Sequence, residues 1–291
     1  MPSPTQLTLI AADGHPLAAD HYAPLGPLRA AAVIAPAMAV PRRLYRHLAS
    51  YLASHGVAVV VPDYRGVAGS PAPRDRAVMV HDWADLDMPA ALAELTARYP
   101  DAPRVWIGHS VGGQLLGLTR NPPVDRALLL ASQSGHWRLW RGPARLGMAA
   151  FGHVVVPGLV ALTGRLPMRL VGGEDVPAGA ARQWARWIRD RRYMADFART
   201  RPGGAAAGFD RFTGPLRAYA VADDGYAPRA GVDALVAEFT RARREVIAIA
   251  PADLGVRRLG HFGVVQPGAA RLWPELLGFV VGDTRATEVA A

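Results

Sequence analysis

The pentapeptide at residues 108–112 constrains the fold of this chain more than any other part of its sequence. It reads Gly-His-Ser-Val-Gly and is preceded by an apolar run that ends at Gly108. In the pattern G-x-S-x-G the serine sits on a strained strand-to-helix turn that exposes its hydroxyl. Such a turn brings the positions two before and two after the serine together, so both require glycine. We therefore predict a buried strand, a sharp turn at Ser110 and then a helix.

The helix predicted after Ser110 adds a second chemical feature. The first N–H groups of a helix have no acceptor within it, and the helix dipole is positive at that end. We therefore expect the N–H of Val111 to stabilise negative charge that develops on an oxygen beside Ser110. A chance match to the pattern is the alternative, and the apolar strand and helix on either side argue against it.

Strands alternate with helices on both sides of this turn. Leucines at helical spacing, such as Leu44, Leu48 and Leu52, separate short apolar runs of the kind that form strands buried on both faces. Asp13-Gly14 between two short strands predicts an opening antiparallel hairpin. The later strands are predicted at residues 30–35, 57–61, 105–108, 127–131, 216–222 and 246–250. This alternation predicts an α/β fold with a mostly parallel sheet and helices on both faces.

The alternation breaks between residues 136 and 213, where we predict a mainly helical insertion. Residues 1–135 and 214–291 are then the two parts of one core domain. The insertion holds four of the seven tryptophans, and we expect them to contact substrate beneath a lid: Trp137, Trp140, Trp184 and Trp187. Residues 146–162 are apolar, but His153, Pro157 and several glycines interrupt them and the stretch is short for a membrane span. Membrane contact is therefore not expected.

Composition excludes several classes of function. The chain has no cysteine, so thiolate nucleophiles, disulfides and cysteine metal sites are excluded. Its net charge of +9 comes entirely from arginines scattered along the chain, and no nucleic-acid motif accompanies them, so nucleic-acid binding is not expected. The first residues lack the pattern of a signal peptide, and we expect a cytoplasmic location. No feature predicts the oligomeric state.

A serine hydroxyl becomes a good nucleophile only when a base accepts its proton and a third group orients that base. In folds with this turn the three groups follow one another as serine, acid and histidine. His261 is the only histidine beyond residue 153 and is therefore the candidate base. Asp223 and Asp224 directly follow a predicted strand, at the sheet edge where such folds place functional groups. We prefer Asp224 as the acid because it lies deeper in the loop, and regard Asp223 as a turn-stabilising residue.

Three further expectations concern a second oxyanion donor, His109 and residues 81–87. A second oxyanion donor is expected from the loop after the strand at 30–35, as the N–H of Ala37 or Met38. His109 is expected to orient or line the site. A histidine and three aspartates around residues 81–87 are interpreted as a solvated first helical turn, and no metal site is predicted.

Taken together, these motifs resemble the α/β-hydrolase superfamily. The resemblance rests on residues 108–112, on Asp63-Tyr64-Arg65-Gly66, on residues 222–228 and on Gly260-His261-Phe262-Gly263. Residues 40–45, 183–187 and 259–263 are similar to a serine-aminopeptidase-like branch of predicted hydrolases. The resemblance implies an eight-stranded sheet with a lid, and a nucleophile, acid and base at Ser110, Asp224 and His261. The loop at residues 35–39 departs from the glycine-rich turn of relatives, which leaves the second oxyanion donor open.

The expected function is hydrolysis of a small carboxylic ester with an apolar part, through an acyl-enzyme on Ser110 and without a metal or organic cofactor. The resemblance to this branch does not imply peptidase activity, because the sequence shows no acidic pair that could hold the amino terminus of a substrate. Two alternatives remain open. The acyl group of the same acyl-enzyme is transferred to an alcohol or amine, or the chain binds a ligand without turnover.

Overall fold

The computed structural model describes residues 2–283, with Val171 described by its backbone alone. Its strands are β1 Thr5–Ile10, β2 Pro16–Tyr22, β3 Ala30–Ala35, β4 Val57–Pro62, β5 Arg104–His109, β6 Arg126–Leu130, β7 Arg165–Leu166, β8 Val176–Pro177, β9 Pro215–Val221 and β10 Arg243–Ile249. Its α-helices are α1 Arg46–Ser54, α2 Val80–Asp82, α3 Met88–Arg98, α4 Val111–Leu118, α5 Gly142–Ala150, α6 Val156–Thr163, α7 Ala178–Arg189, α8 Ala195–Thr200, α9 Gly208–Arg211, α10 Arg229–Ala237, α11 Gly260–Gly263 and α12 Trp273–Val281.

Eight of the strands form one sheet in the order β1-β2-β4-β3-β5-β6-β9-β10. The hairpin β1–β2 is antiparallel and also joins β4 in antiparallel fashion, whereas every pairing from β4 to β10 is parallel. Every residue of β3 and β4 is buried, which is why these strands read as unbroken apolar runs. The predicted mostly parallel, eight-stranded α/β fold is confirmed.

The position of β5 in this sheet determines where a site can form. The chain places β4 on one side of β3 and then returns to place β5 on the other side. In open α/β sheets, the crevice at such a reversal, outside the carboxyl ends of the strands, is where ligands bind. The loops that begin at Pro36 and Ser110 flank this crevice.

The segment between β6 and β9 is mostly helical, and the pair β7–β8 forms a separate two-stranded ladder within it. Its first helices, α5 and α6, are joined by the π-helical turn Phe151–Val155. Among the residues described, this continuous helix, Gly142–Thr163, is long and apolar enough by length and composition to cross a membrane. One of its faces packs on α7, since Gly152, Val156 and Val160 are buried there.

The interpretation of residues 81–87 as a solvated helical turn was wrong. Asp87 is fully buried, and its Oδ1 lies 2.6 Å from Nε of the equally buried Arg65. Asp82 and Asp85 likewise face guanidinium groups, those of Arg76 and Arg201. Arg201 belongs to the insertion, more than a hundred residues away along the chain. The sequence pattern could not show partners brought in from such distances.

Candidate active site

Ser110 lies between β5 and α4 in a left-handed conformation, with φ 53° and ψ −119°. The two flanking glycines allow this turn. A Cβ on Gly108 would lie 2.4 Å from the Cα of Gly113, and one on Gly112 would lie 1.9 Å from the carbonyl oxygen of Ala35. Both distances are far shorter than a van der Waals contact. The turn at Ser110 thus presses the start of α4 against the end of β3.

The structure brings Asp224 and His261 together. Asp224 lies in the loop after β9, and its Oδ2 is 2.7 Å from Nδ1 of His261. Its other oxygen, Oδ1, accepts the N–H groups of Tyr226 at 2.7 Å and Ala227 at 3.0 Å. Both side chains are buried. This carboxylate can therefore fix the tautomer of His261, with the proton on Nδ1 and Nε2 left free to accept one.

Asp223 holds the backbone of the His261 loop instead of its ring. Its carboxylate accepts the N–H of Leu259 at 3.0 Å and that of Gly260 at 2.8 Å. The slight desolvation of this exposed carboxylate raises its pKa, but these two hydrogen bonds outweigh that effect and the pKa of Asp223 is lowered overall. The two adjacent aspartates thus contact different parts of the same loop.

His109 connects three parts of the site through a buried chain of hydrogen bonds. Its Nε2 lies 2.8 Å from the carbonyl oxygen of His261, which can only accept, so Nε2 carries the proton. Nδ1 must then accept from the hydroxyl of Tyr45 at 2.9 Å, and that hydroxyl accepts the N–H of Ala37 at 2.7 Å. Burial, and then the nearby His261, lower the pKa of His109 to about 3. His109 is therefore neutral, and it ties the loop after β3 to the loop of His261.

Ser110 and His261 are linked indirectly through His109. His109 directly precedes Ser110 in the sequence, and its ring lies 5.1 Å from the ring of His261. Within residues 2–283, no hydrogen bond links Oγ of Ser110 to the ring of His261. Catalytic hydrogen bonds of this kind are commonly long or absent until substrate binds.

The backbone N–H groups around Ser110 differ in their availability. The N–H of Ala37 is taken by the Tyr45 hydroxyl. In the part of the chain that the structure describes, the N–H groups of Met38 and Val111 have no protein acceptor. Of the two donors left open by the sequence, Met38 is thus the one that is free.

The four tryptophans of the insertion occupy different environments. Nε1 of Trp140 donates to the carbonyl oxygen of Gly225 at 2.9 Å, directly beside Asp224. Trp184 donates to the Tyr193 hydroxyl at 2.8 Å, and Trp187 is buried against the same tyrosine. The ring of Trp137 is partly exposed, and the guanidinium groups of Arg138 and Arg145 lie 5.0 Å and 5.1 Å from its centre.

Two aromatic residues beside His261 were not predicted as site residues from the sequence. The ring of Tyr226 lies 5.4 Å from the His261 ring and that of Phe262 lies 5.0 Å from it. Both are exposed, Tyr226 by 67% and Phe262 by 42%. Their positions next to Asp224 and His261 in the sequence were the available signal.

No group of three or more histidine, aspartate or glutamate side chains placed to hold a metal ion occurs among the described residues. The site offers a serine hydroxyl on a strained turn, an imidazole oriented by a carboxylate and free N–H donors.

Comparisons with known proteins identify the family and the fold. A family model described as "Serine aminopeptidase, S33", of the hydrolase class, matches residues 26–197. A search of curated proteins found no match. Among solved structures, an esterase from Exiguobacterium antarcticum has a TM-score of 0.60 at 14% identity, covering 95% of this chain and 99% of the esterase. A thermostable carboxyl esterase from Bacillus coagulans has a TM-score of 0.59 at 14% identity, covering 97% and 99%.

A third structure is the mouse α/β hydrolase domain-containing protein 10, with a TM-score of 0.56 at 16% identity, covering 95% of this chain and 98% of the mouse protein. At such identities these likenesses establish the fold. The family match extends over more than half of the chain and includes the turn at Ser110. The protein therefore belongs to the serine aminopeptidase S33 family of α/β hydrolases and is a serine hydrolase.

Proposed function

We propose that this protein hydrolyses a small carboxylic ester through an acyl-enzyme on Ser110, with His261 as the base and Asp224 as the acid that orients it. The observation that carries the proposal is the 2.7 Å contact between Nδ1 of His261 and Oδ2 of Asp224, on a loop tied to His109 beside the serine. This contact leaves Nε2 of His261 as the atom that receives a proton from Ser110.

In the proposed reaction Oγ of Ser110 attacks the ester carbonyl carbon while its proton passes to Nε2 of His261. The N–H groups of Val111 and Met38 stabilise the resulting oxyanion. His261 then donates the proton to the leaving alcohol, and the acyl group remains on Ser110. Water, deprotonated by His261, attacks the acyl-enzyme and releases the carboxylic acid. Asp224 keeps its contact with Nδ1 of His261 throughout.

The preference for a partly apolar ester is supported by the exposed rings of Tyr226 and Phe262 beside His261. Residues 136–213 are proposed to act as a lid over this region, since Trp140 of the insertion contacts the loop of Asp224. Trp137 and Trp184, which are partly exposed, remain proposed substrate contacts. Trp140 and Trp187 are buried, and we propose that they shape the pocket from behind.

An ester is favoured over a peptide because an aminopeptidase must bind the charged amino terminus of its substrate. The carboxylates next to His261 are those of Asp223 and Asp224, and both accept hydrogen bonds from the protein itself. Asp224 is buried and engaged with three donors, so it is not available to a substrate ammonium group, and Asp223 alone does not form an acidic pair.

The test is a series of p-nitrophenyl esters of increasing acyl length, assayed with the wild type and with Ser110→Ala. We expect turnover by the wild type and a fall of at least about 10³-fold in the variant. Ser54→Ala, a serine at the end of α1 remote from the site, serves as the matched control. An amino-acid p-nitroanilide tests for peptidase activity, and added alcohols test for acyl transfer. Equal ester turnover by wild type and Ser110→Ala would reject the proposed nucleophile.

A further inference from the structure

The helix Gly142–Thr163 exposes an apolar surface that the fold does not use. The exposed fractions of Leu146, Val154 and Leu162 are 72%, 67% and 85%. The buried residues of this helix are confined to the side that packs on α7. Scattered surface leucines need no explanation, but a helix with an unpartnered apolar face over its whole length does. The first part, α5, has no buried residue.

The sequence that contains this helix carries charge of one sign. From Arg126 to Gly173 the sequence contains six arginines and no acidic residue. Arg138, Arg141 and Arg145 at the start of the helix are exposed, and none has a carboxylate partner among the described residues. At the other end, Arg165 and Arg169 pair with Asp175 and Glu174. The unneutralised positive charge is therefore concentrated at the amino-terminal end, beside Trp137.

We propose that the helix Gly142–Thr163 lies on the surface of an anionic phospholipid bilayer, with Leu146, Val154 and Leu162 inserted among the lipids. Arg138, Arg141 and Arg145 then face the anionic headgroups, and Trp137 lies at the depth where amphipathic rings concentrate. An apolar face combined with arginines and a tryptophan is the composition of interfacial helices. A second copy of this chain would meet the same three arginines, so their mutual repulsion disfavours a dimer through this face.

The helix is proposed to lie on the membrane and not to cross it. Gly152 packs so closely on α7 that a Cβ there would lie 2.5 Å from the Cγ2 of Ile188. Crossing a bilayer would require this face to leave α7, whereas lying on the surface leaves it in place. The observed helix is 22 residues long, so the expectation that the stretch is too short to span was wrong. Its packing on α7 argues against a span, and this packing does not disfavour the surface mode.

The experiment is sedimentation of the purified full-length chain with vesicles, either of phosphatidylcholine alone or with one quarter phosphatidylglycerol. We expect the partition coefficient to be at least tenfold higher on the anionic vesicles, and this preference to weaken as salt is raised. The double variant Leu146→Glu/Leu162→Glu is expected to reduce binding more than tenfold. Replacing Arg138, Arg141 and Arg145 by glutamine is expected to remove the preference for anionic vesicles while weaker binding persists.

Matched controls are Ile10→Glu, an exposed apolar residue on β1, and Arg241→Gln/Arg243→Gln, two exposed arginines far from the helix. Both should bind like the wild type. Because binding needs no turnover, Ser110→Ala should bind equally well, so loss of activity and loss of binding are separate outcomes. Absence of binding, or equal binding by the helix variants and the controls, would overturn the proposal. A dimer of the wild type would also overturn it, if sedimentation equilibrium showed that Leu146→Glu/Leu162→Glu dissociates this dimer and the wild type did not bind vesicles.

Discussion

Ser110 is held in a backbone conformation that non-glycine residues rarely adopt, at a cost of about 1–3 kcal/mol. The surrounding packing maintains it, because the first turn of α4 lies directly against the end of β3. The strain makes the hydroxyl project from the backbone at the carboxyl end of the strand, which a relaxed turn would not do.

The first prediction concerns Gly112, which allows this contact. Gly112→Ala places a methyl group 1.9 Å from the carbonyl oxygen of Ala35, so α4 must move away from β3. We expect a loss of stability of at least about 2 kcal/mol and loss of ester turnover. Thermal unfolding followed by circular dichroism measures the first effect. Gly158→Ala in α6, where a Cβ meets nothing within 4 Å, is the control and should be neutral or slightly stabilising.

The second prediction concerns His109, whose pKa is about 3 in the folded protein and about 6.5 in the unfolded chain. Between these values the unfolded chain binds a proton that the native state does not, so stability falls as the pH falls below 6.5. His109→Asn removes this contribution. We expect the difference in unfolding free energy between wild type and variant to shrink by about 2 kcal/mol from pH 7 to pH 5. Urea titrations at both values measure it, with His55→Asn at the surface as the control. A constant difference would contradict the assignment.

At the scale of elements, the loops after β9 and before α11 are held together by two adjacent carboxylates. Asp224 contacts the ring of His261, while Asp223 contacts the backbone N–H groups of Leu259 and Gly260. One element therefore supplies both the orientation of the base and the position of its loop.

The third prediction separates these two contacts. Asp224→Asn destroys the orientation of the imidazole and should lower kcat by about 10³–10⁴-fold. Asp223→Asn keeps an acceptor oxygen and should lower kcat by about tenfold, with a small shift in melting temperature. Steady-state kinetics on one p-nitrophenyl ester compares them. If Asp223→Asn proved the more damaging variant, the assignment of the acid would have to be exchanged.

At the scale of the whole molecule, arginines join distant segments through carboxylates on the helical stretch at residues 80–98. Arg65 is completely buried and binds both Asp87 and Asp13 of the opening hairpin. Arg201 connects the insertion to Asp85. Burial raises the pKa of Asp87 to about 6, although the charge of Arg65 opposes this. These pairs link the hairpin, the core and the insertion to one another.

The fourth prediction tests the buried pair. Asp87→Ala leaves the Arg65 guanidinium without its main partner in the interior and should lower the unfolding free energy by about 3–5 kcal/mol. Asp233→Ala breaks an exposed helical pair with Arg229 and should change it by no more than about 0.5 kcal/mol. Urea unfolding at pH 7.5 measures both. Similar values for the two variants would show that burial of the Arg65 pair does not affect stability.

The sequence predicted the sheet, its parallel strands and the turn at Ser110, because buried strands and a sharp turn require particular residues locally. It also proposed His261 and Asp224, since the order of the three groups along the chain left one histidine. It did not predict the partners of Asp82, Asp85 and Asp87 or the role of Tyr45. The partners of Asp85 and Asp87 lie 116 and 22 residues away along the chain, and no local pattern encodes such contacts.

From the residues alone it follows that a serine comes after a buried strand, on a turn that only glycines permit, within an alternating α/β chain. Packing of distant elements was needed to show that the imidazole of His261 meets Asp224, that the N–H of Ala37 is occupied, and that the helix Gly142–Thr163 keeps an apolar face exposed. The physical reason is that periodicity and backbone conformation are local, whereas hydrogen-bond partners and burial depend on which elements pack together.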